Sequence, residues 1–289
     1  MASAKKRIVT RKPGTEMRIV SLAGMGRLLD VEMIQNHGID TRNFVVFLGG
    51  IPILYDDATS VDHGEPGVEY QMSARFIKSL HILSRISPKR PILVMMQTCG
   101  GDWDHGMAIY DAVRLCTNSI TILCYTPARS MSSIILQAAD KRVFMPSSHF
   151  MFHQGTWGME STYKQVKSNM EFDAQIREPM MLDIYAKAMA RKFVGNESKA
   201  DPDVLRKALF MMLENRVPEE ELKPYARMLL RLHGSNPQKL FSRVVQICMD
   251  TKEDVFLTAP KAVEWGFADR VLEEDATGKV DWSSLLKYP

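Results

Sequence analysis

One serine in this sequence sits where a protein chain can expose a nucleophile. Ser130 lies in the segment TPARSMSS, between an apolar run that predicts a buried strand and another that predicts a helix. A serine at such a strand-to-helix turn lies beside backbone N–H groups that have no acceptor within the helix. Ser130 could therefore be the nucleophile of a hydrolase. It could also be a helix cap, since serine is among the preferred residues at that position.

A histidine that could serve as a general base ends the apolar run FMF. His153 should emerge there at a strand edge, although it could also be a buried, hydrogen-bonded core histidine. His149 lies four residues earlier, and this spacing raises the possibility of a zinc site. We reject that interpretation because both histidines lie on a predicted strand and the glutamate of H-E-x-x-H is missing.

Carboxylates that could orient this histidine lie near the other end of the chain. Asp254 stands where a helical pattern stops and a short apolar run begins. Asp250 and Glu253 are equally eligible by composition, so spacing alone does not select among the three. Each could also be an ordinary solvated side chain.

Two consecutive glycines, Gly100 and Gly101, end the apolar run that comes before the predicted strand leading to Ser130. The carboxyl edge of an open α/β sheet is where such folds place their ligand sites. A glycine there lets a backbone N–H approach a reacting oxygen without a side chain in the way. The alternative is a tight turn with no chemical role.

Alternating strands and helices must position these residues. Continuous apolar runs predict strands that are buried on both faces, and helical spacing between them predicts amphipathic helices. This alternation indicates a mostly parallel sheet covered on both sides, an α/β domain. The predicted strands are Phe44–Leu48, Ile92–Met96, Ile120–Tyr125, and two near Arg142–Met145 and Phe150–Phe152; the helices are one capped by Ser73 and ending before Pro88, then 103–115 and 131–139.

Long helical patterns follow His153 and suggest an added helical region. The first runs over Ser161–Val194, and Pro179 should kink or split it. Asp201 and Pro202 are a cap and a first-turn proline that open a second helix, and a third ends before Gly234. We therefore predict an N-terminal arm over residues 1–40, a loop over 51–70, and one domain over 41–289 with a helical insert at about 191–234.

Composition narrows the class of protein. The 289 residues are 45% hydrophobic and 25% charged, which is ordinary globular usage, and the net charge of +3 gives no strong reason to expect nucleic acid or a membrane surface as partner. Four cysteines without a C-x-x-C pair favour a reducing compartment. The basic N-terminal segment has no apolar region after it, and no segment reaches eighteen apolar residues, so we expect a soluble, cytoplasmic protein.

Five segments, in order along the chain from Phe44 to Leu272, resemble the proteolytic subunit of the Clp (caseinolytic) protease, the ClpP family of the ClpP/crotonase superfamily. They resemble the family's first strand, its glycine motif, its nucleophile segment with Ser-Met, its Met-Ile-His-Gln-Pro motif and its aspartate motif. The segments are FVVFLGG, ILVMMQTCGGDWDHGMAIYDAVR, ITILCYTPARSMSSIILQAAD, HFMFHQG and DTKEDVFLTAPKAVEWGFADRVL.

The resemblance implies roles for individual residues. Ser130 falls on the family nucleophile, His153 on the general base and Asp254 on the third triad member. The backbone N–H groups of Gly101 and Met131 would form the oxyanion hole. The implied fold is the family's spiral of β-α units with a handle helix, and the implied chemistry needs neither a metal nor an organic cofactor.

Several positions depart from the family pattern. Cys99 replaces the proline of Ser-Pro-Gly-Gly, Thr126 replaces a glycine, and Arg129 replaces a small residue beside Ser130, which predicts charge and bulk at the mouth of the site. His153 and Asp254 are 101 residues apart, more than in the family pattern. The extra length falls in the insert, which should enlarge the handle or head region.

The resemblance also implies partners. Family members form heptameric rings that stack through the handle, and they receive unfolded chains from a hexameric AAA+ ATPase. This sequence has no G-x-x-x-x-G-K-[ST] loop, so any use of ATP would come from such a partner. Two alternatives to a serine endopeptidase stay open: a catalytically weak structural or regulatory ring subunit, and an acyl-CoA enzyme of the crotonase type.

Overall fold

The computed structural model describes residues 22–49, 67–156, 158, 160–195, 200–273 and 285. Residues 1–21 of the predicted arm and residues 51–66 of the predicted loop lie outside these ranges. The rest of the arm forms helix α1 (Leu22–His37) and the short strand β1 (Ile39–Asp40). In the described part of the chain, no helix is both long and apolar enough to cross a membrane.

A six-stranded sheet forms the centre of the fold. Three of its strands are apolar and mostly buried, as their sequences predict, and the other three contain charged residues. All neighbours are parallel except the first pair. The α/β architecture is therefore confirmed. In spatial order the strands are β1, β2 (Val45–Gly49), β3 (Ile92–Gln97), β4 (Ile120–Cys124), β6 (Lys141–Phe144) and β9 (Arg270–Val271).

A second, three-stranded sheet stands beside the first. It contains β5 (Ala128–Arg129), β7 (His149–Phe152) and β8 (Val255–Thr258). Strand β7 pairs parallel to β5 and antiparallel to β8, with Phe152 opposite Val255. Because antiparallel partners run in opposite directions, the residue after β7 and the residue before β8 come to the same end of this sheet.

Helices cover the sheets and extend the fold. The described helices after α1 are α2 (Tyr70–Ile86), α3 (Trp103–Leu115), α4 (Met131–Leu136), α5 (Tyr163–Phe172), α6 (Glu178–Phe193), α7 (Pro202–Leu213), α8 (Glu219–His233), α9 (Pro237–Thr251) and α10 (Ala259–Trp265). The expectation that Ser73 caps α2 is wrong. Glu69 is the cap, because its carboxylate accepts from the N–H groups of Gln71 and Met72, and Ser73 is buried inside the helix.

The helix predicted over Ser161–Val194 is helical from Tyr163 to Phe193, with a π-helical turn inside it and no split. This turn, Asp173–Arg177, joins α5 to α6, and Pro179 follows it directly in α6. Proline has no N–H for the usual helical hydrogen bond, and the irregular turn before it accommodates the missing bond. Helices α7 and α8 occupy the predicted insert, with the Asp201 cap in place, and α9 follows them and packs on α6.

A buried arginine joins the main sheet to the C-terminal turn after α10. Arg142 donates to both carboxylate oxygens of Asp269 at 2.7 and 3.1 Å, and to Gln137 Oε1 and Gly266 O at 2.8 Å. Burial raises the pKa of Asp269, but the hydrogen bonds and charge of Arg142 lower it more, so the net pKa lies below its usual range.

We expect Arg142→Met to lower the free energy of unfolding by about 3 kcal/mol, because it leaves the oxygens of Gln137 and Gly266 without this donor and removes the guanidinium from the Asp269 carboxylate, which keeps only the backbone N–H of residue 142. Urea denaturation followed by circular dichroism would measure the loss. The control is Arg206→Met, which removes an exposed ion pair with Asp203 and should cost less than about 1 kcal/mol. Equal losses in the two variants would contradict the role assigned to Arg142.

Candidate active site

Ser130 occupies the turn between β5 and α4 in an unusual backbone conformation. Its φ is 49° and its ψ is −127°, a region that residues other than glycine seldom adopt. It stands at the N-cap position of α4, yet its side chain makes no capping hydrogen bond. Instead, Oγ lies 2.9 Å from His153 Nε2. The capping role considered from sequence is therefore not what the side chain does.

His153 links the serine to a carboxylate. Its Nδ1 lies 3.3 Å from Asp254 Oδ1, and its side chain is 13% exposed. A histidine held this way presents Nε2 to the serine hydroxyl while the carboxylate faces the other ring nitrogen, the arrangement used in acyl transfer. His153 lines an open pocket, so it is not a core histidine.

The carboxylate at the histidine is Asp254 and not either neighbour. Asp254 precedes β8 and so reaches the end of β7 through the pairing of these strands. Asp250 belongs to α9, where Oδ1 accepts from Gln246 Nε2 at 2.8 Å, and Glu253 is exposed. The strand register therefore decides a choice that composition left open.

Both glycines are required by close packing beside the serine. A Cβ on Gly100 would lie 2.7 Å from Ser130 Cβ, and one on Gly101 would lie 2.4 Å from Val68 N. Both have φ above 100°, which disfavours any side chain. Met131 is the first residue of α4, so its N–H has no acceptor within the helix. Gly101 and Met131 line the same pocket as Ser130 and His153.

This pocket has a volume of about 740 Å³ and lies between the serine and the junction of α5 and α6. One part of its wall is apolar and comes from Ile134, Met170 and Met181. Charged side chains form another part of the wall, and the loop that follows His153 forms a third part. A cavity with apolar walls and a few convergent polar groups is typical of a substrate site.

Sequence analysis missed the π-helical turn that closes the pocket. Arg177 on this turn bonds Asp104 of α3 at 3.1 Å and Asp173 at 3.0 Å. Gln154 Nε2 donates to Glu178 Oε1 at 2.9 Å, which joins the loop after the histidine to α6. Such turns are frequent at functional sites. Pro179 was the sequence feature that pointed to this turn, because a proline interrupts the hydrogen bonds of a helix.

The expectation that Arg129 places charge at the mouth of the site is wrong. Arg129 Nε donates to His149 Nε2 at 3.0 Å, and the guanidinium is not part of the pocket wall. Side chains alternate across a strand, so Arg129 faces away from buried Ala128 and toward His149, whose ring contacts Phe256. Burial lowers the pKa of His149, and the charge of Arg129 lowers it further.

Comparison with known proteins gives the chain a family. Residues 60–208, just over half of the chain, match the family model described as Clp protease. The chain belongs to the Clp protease family. The ATP-dependent Clp protease proteolytic subunit 2 of Treponema denticola is 30% identical to it over 141 residues, which is 48% of this chain and 68% of the relative.

Two further Clp protease relatives align over different lengths. The ATP-dependent Clp protease proteolytic subunit of Deinococcus radiodurans is 31% identical over 122 residues, 42% of this chain and 59% of the relative. The proteolytic subunit 2 of Pseudomonas aeruginosa is 25% identical over 208 residues, 71% of this chain and 77% of the relative. The chain thus spans about three fifths of the Deinococcus protein. Asp254 lies beyond the segment that matches the family model.

Proposed function

We propose that this chain is a serine-type endopeptidase, the proteolytic subunit of a Clp-type assembly that cleaves unfolded polypeptides. The observation that carries the proposal is the 2.9 Å contact between Ser130 Oγ and His153 Nε2, with Asp254 at the other ring nitrogen. Membership of the Clp protease family supports the same conclusion. The pocket beside these groups gives a peptide somewhere to bind.

The reaction proceeds through an acyl-enzyme. Ser130 Oγ attacks the peptide carbonyl carbon while its proton passes to His153 Nε2. The tetrahedral intermediate collapses, the C–N bond breaks, and the leaving amine takes the proton from His153. Water then attacks the ester by the same route and releases the acid. Asp254 keeps the imidazole in the tautomer that presents Nε2 and stabilises its cation.

The oxyanion of each tetrahedral intermediate is bound by the backbone N–H groups of Gly101 and Met131. Their location on the wall of the serine's pocket supports this assignment. The absence of side chains at Gly100 and Gly101 supports it too, because a Cβ at either would collide with its surroundings. One such donor contributes about a hundredfold to a thousandfold in rate.

The active form is a homo-oligomer built from heptameric rings, singly or stacked. Exposed apolar side chains on α5 and the turn after it support this, since Tyr163 is 81% exposed and Phe172 and Ile176 are each about half exposed. A group of exposed apolar side chains on one element can mark an interaction site. A second copy of the chain, presenting the same helix, covers these side chains.

Polypeptides reach the chamber through an AAA+ unfoldase. The relatives' names call them ATP-dependent, and this sequence has no ATP-binding loop of its own. The four cysteines are free thiols, which supports a reducing, cytoplasmic location.

Hydrolysis by the purified chain tests the proposed function. We expect it to cleave a fluorogenic peptide and a denatured protein such as casein, and to leave acyl-CoA thioesters intact. His153→Ala should abolish cleavage, and His149→Ala, which alters the neighbouring histidine outside the pocket, should preserve it. Turnover of acyl-CoA alone would favour the crotonase alternative. No peptidase activity in a folded oligomer would favour a structural ring subunit.

Tyr163→Glu should weaken assembly, because it places a charge on the most exposed apolar position of α5. Size-exclusion chromatography with light scattering should show a shift toward smaller species, and peptidase activity should fall with it. The matched control is Ile86→Glu, which adds the same charge to an exposed apolar position of α2. An unchanged mass for Tyr163→Glu would contradict the interface.

A further inference from the structure

Two buried serines lie two and three residues after the nucleophile. Ser132 and Ser133 are each 0% exposed, in the first turn of α4. A hydroxyl taken out of water is unfavourable unless it is hydrogen-bonded. Both hydroxyls are bonded, that of Ser132 to Thr98 O and that of Ser133 to Ser130 O and Tyr185 Oη.

Ser132 ties α4 to the glycine segment. Its Oγ donates to Thr98 O at 2.5 Å. Thr98 directly follows β3, and its own Oγ1 donates to Gly100 O at 3.3 Å. The two oxyanion donors proposed above, Gly101 and Met131, lie on the two segments that this bond joins. The relative position of the two N–H groups therefore depends on the Ser132 hydroxyl.

Ser133 ties the nucleophile turn to α6. Its Oγ donates to Ser130 O at 2.6 Å and lies 2.6 Å from Tyr185 Oη. A hydroxyl carries one proton, so Tyr185 must be the donor in the second contact. Burial raises the pKa of Tyr185, which keeps that proton on the phenol. The hydrogen bonds thus run in series: Tyr185 donates to Ser133, and Ser133 donates to the carbonyl of Ser130.

This series of hydrogen bonds ends on a residue whose backbone is strained. Ser130 has positive φ, and a residue other than glycine keeps such a conformation only when its surroundings enforce it. The Ser130 carbonyl receives the Ser133 hydroxyl and also the Ser133 N–H, at 2.9 Å. Releasing one of these bonds would let the turn relax and would move Oγ away from His153 Nε2.

We propose that Ser132 and Ser133 are positioning residues for the proposed peptidase reaction. Ser132 sets the separation of the two oxyanion donors, and Ser133, with Tyr185, holds the nucleophile turn in its active conformation. Neither hydroxyl touches the reacting atoms. This inference rests on the proposed function, and it names residues that act through Ser130, Gly101 and Met131.

The first experiment compares Ser133→Ala, Tyr185→Phe and the double variant in hydrolysis of a fluorogenic peptide. We expect kcat to fall about tenfold to a hundredfold in each single variant, because small displacements of a reacting group have effects of this size. KM should change less than about threefold. The kcat of the double variant should be no lower than that of the less active single variant, since both changes break the same series of hydrogen bonds.

The second experiment applies the same assay to Ser132→Ala and Ser132→Cys. We expect a similar fall in kcat and a matching loss of affinity for a peptide aldehyde, whose hemiacetal oxygen occupies the oxyanion site. Ser132→Cys, which retains a weak donor, should lose less. The control is Ser79→Ala, a buried serine on α2, and it should keep both kcat and aldehyde affinity.

Several results would overturn the positioning roles. One is a kcat within twofold of wild type in folded Ser133→Ala, Tyr185→Phe and Ser132→Ala proteins. Another is a fall in kcat that tracks the fall in melting temperature and equals the fall in kcat of Ser79→Ala. If Ser133→Ala does not fold, Tyr185→Phe, which removes a single oxygen, decides the point. A wild-type protein without peptidase activity would instead contradict the proposed function itself.

Discussion

Ser130→Ala should abolish peptide hydrolysis, with kcat lowered by about 10⁴-fold or more. The variant removes the atom that forms the acyl-enzyme, and background hydrolysis at the oxyanion site is all that would remain. The fold should survive, because the Ser130 side chain makes no capping bond and contacts His153 instead. Hydrolysis of a fluorogenic peptide, followed over hours at high enzyme concentration, would measure the residual rate.

Ser73→Ala is a matched control for this loss. It removes the hydroxyl of another buried serine, on α2, and should leave kcat within about twofold of wild type. Size-exclusion chromatography of all three proteins would show that assembly is unchanged. Retention of more than about a tenth of the wild-type rate by Ser130→Ala would mean that a different group performs the attack.

Asp254→Asn should lower kcat on the order of 10³- to 10⁴-fold while leaving KM nearly unchanged. An amide at this position can donate to His153 Nδ1 and so favours the tautomer that has its proton on Nε2, where the serine proton must go. We expect a loss nearer to about 10³-fold because Asp254 Oδ1 is 3.3 Å from the ring and its side chain is 46% exposed, so water screens part of the interaction.

Asp250→Asn is the matched control, since it neutralises a carboxylate four residues away that bonds Gln246 on α9. It should keep kcat within about twofold of wild type. If instead Asp250→Asn loses activity and Asp254→Asn keeps it, the strand register used to choose between these two residues does not describe the working enzyme.

Strands β2, β3 and β4 of the main sheet could be predicted because each is a nearly continuous apolar run. The structure has β3 and β4 within one residue of the predicted bounds. Helix starts were harder to predict, since serine and glutamate can both cap. The α2 cap was assigned to Ser73, while Glu69 makes the bonds. The energy difference between such caps is small compared with the burial of the helix, so the apolar face decides where α2 lies.

Local sequence pointed to Ser130 and His153, whereas Asp254 was selected by the family resemblance and not by composition or spacing. Ser130 lies between a predicted strand and a predicted helix, and His153 directly follows a predicted strand, which is information within a few residues. The choice of Asp254 over Asp250 depends on how β8 pairs with β7, about a hundred residues earlier in the chain. A shift of that pairing by one residue would turn the carboxylate to the other face.

Side-chain directions around the turn were also beyond the sequence. Arg129 was expected at the pocket because it adjoins the nucleophile, yet alternation along β5 turns it to His149. Ser132 and Ser133 looked like ordinary helix-start residues. Their partners, Thr98 and Tyr185, are 34 and 52 residues away, and only the tertiary fold brings them within bonding distance of α4.

Tandem mass spectrometry of the native protein after reaction with a fluorophosphonate would identify the nucleophile. A fluorophosphonate modifies a serine only when a neighbouring base activates it. We expect one adduct, on the oxygen of Ser130, that forms in the folded protein and is lost in His153→Ala. A folded, assembled protein that gains no adduct, or gains it on another residue, would rule out Ser130 as the activated nucleophile.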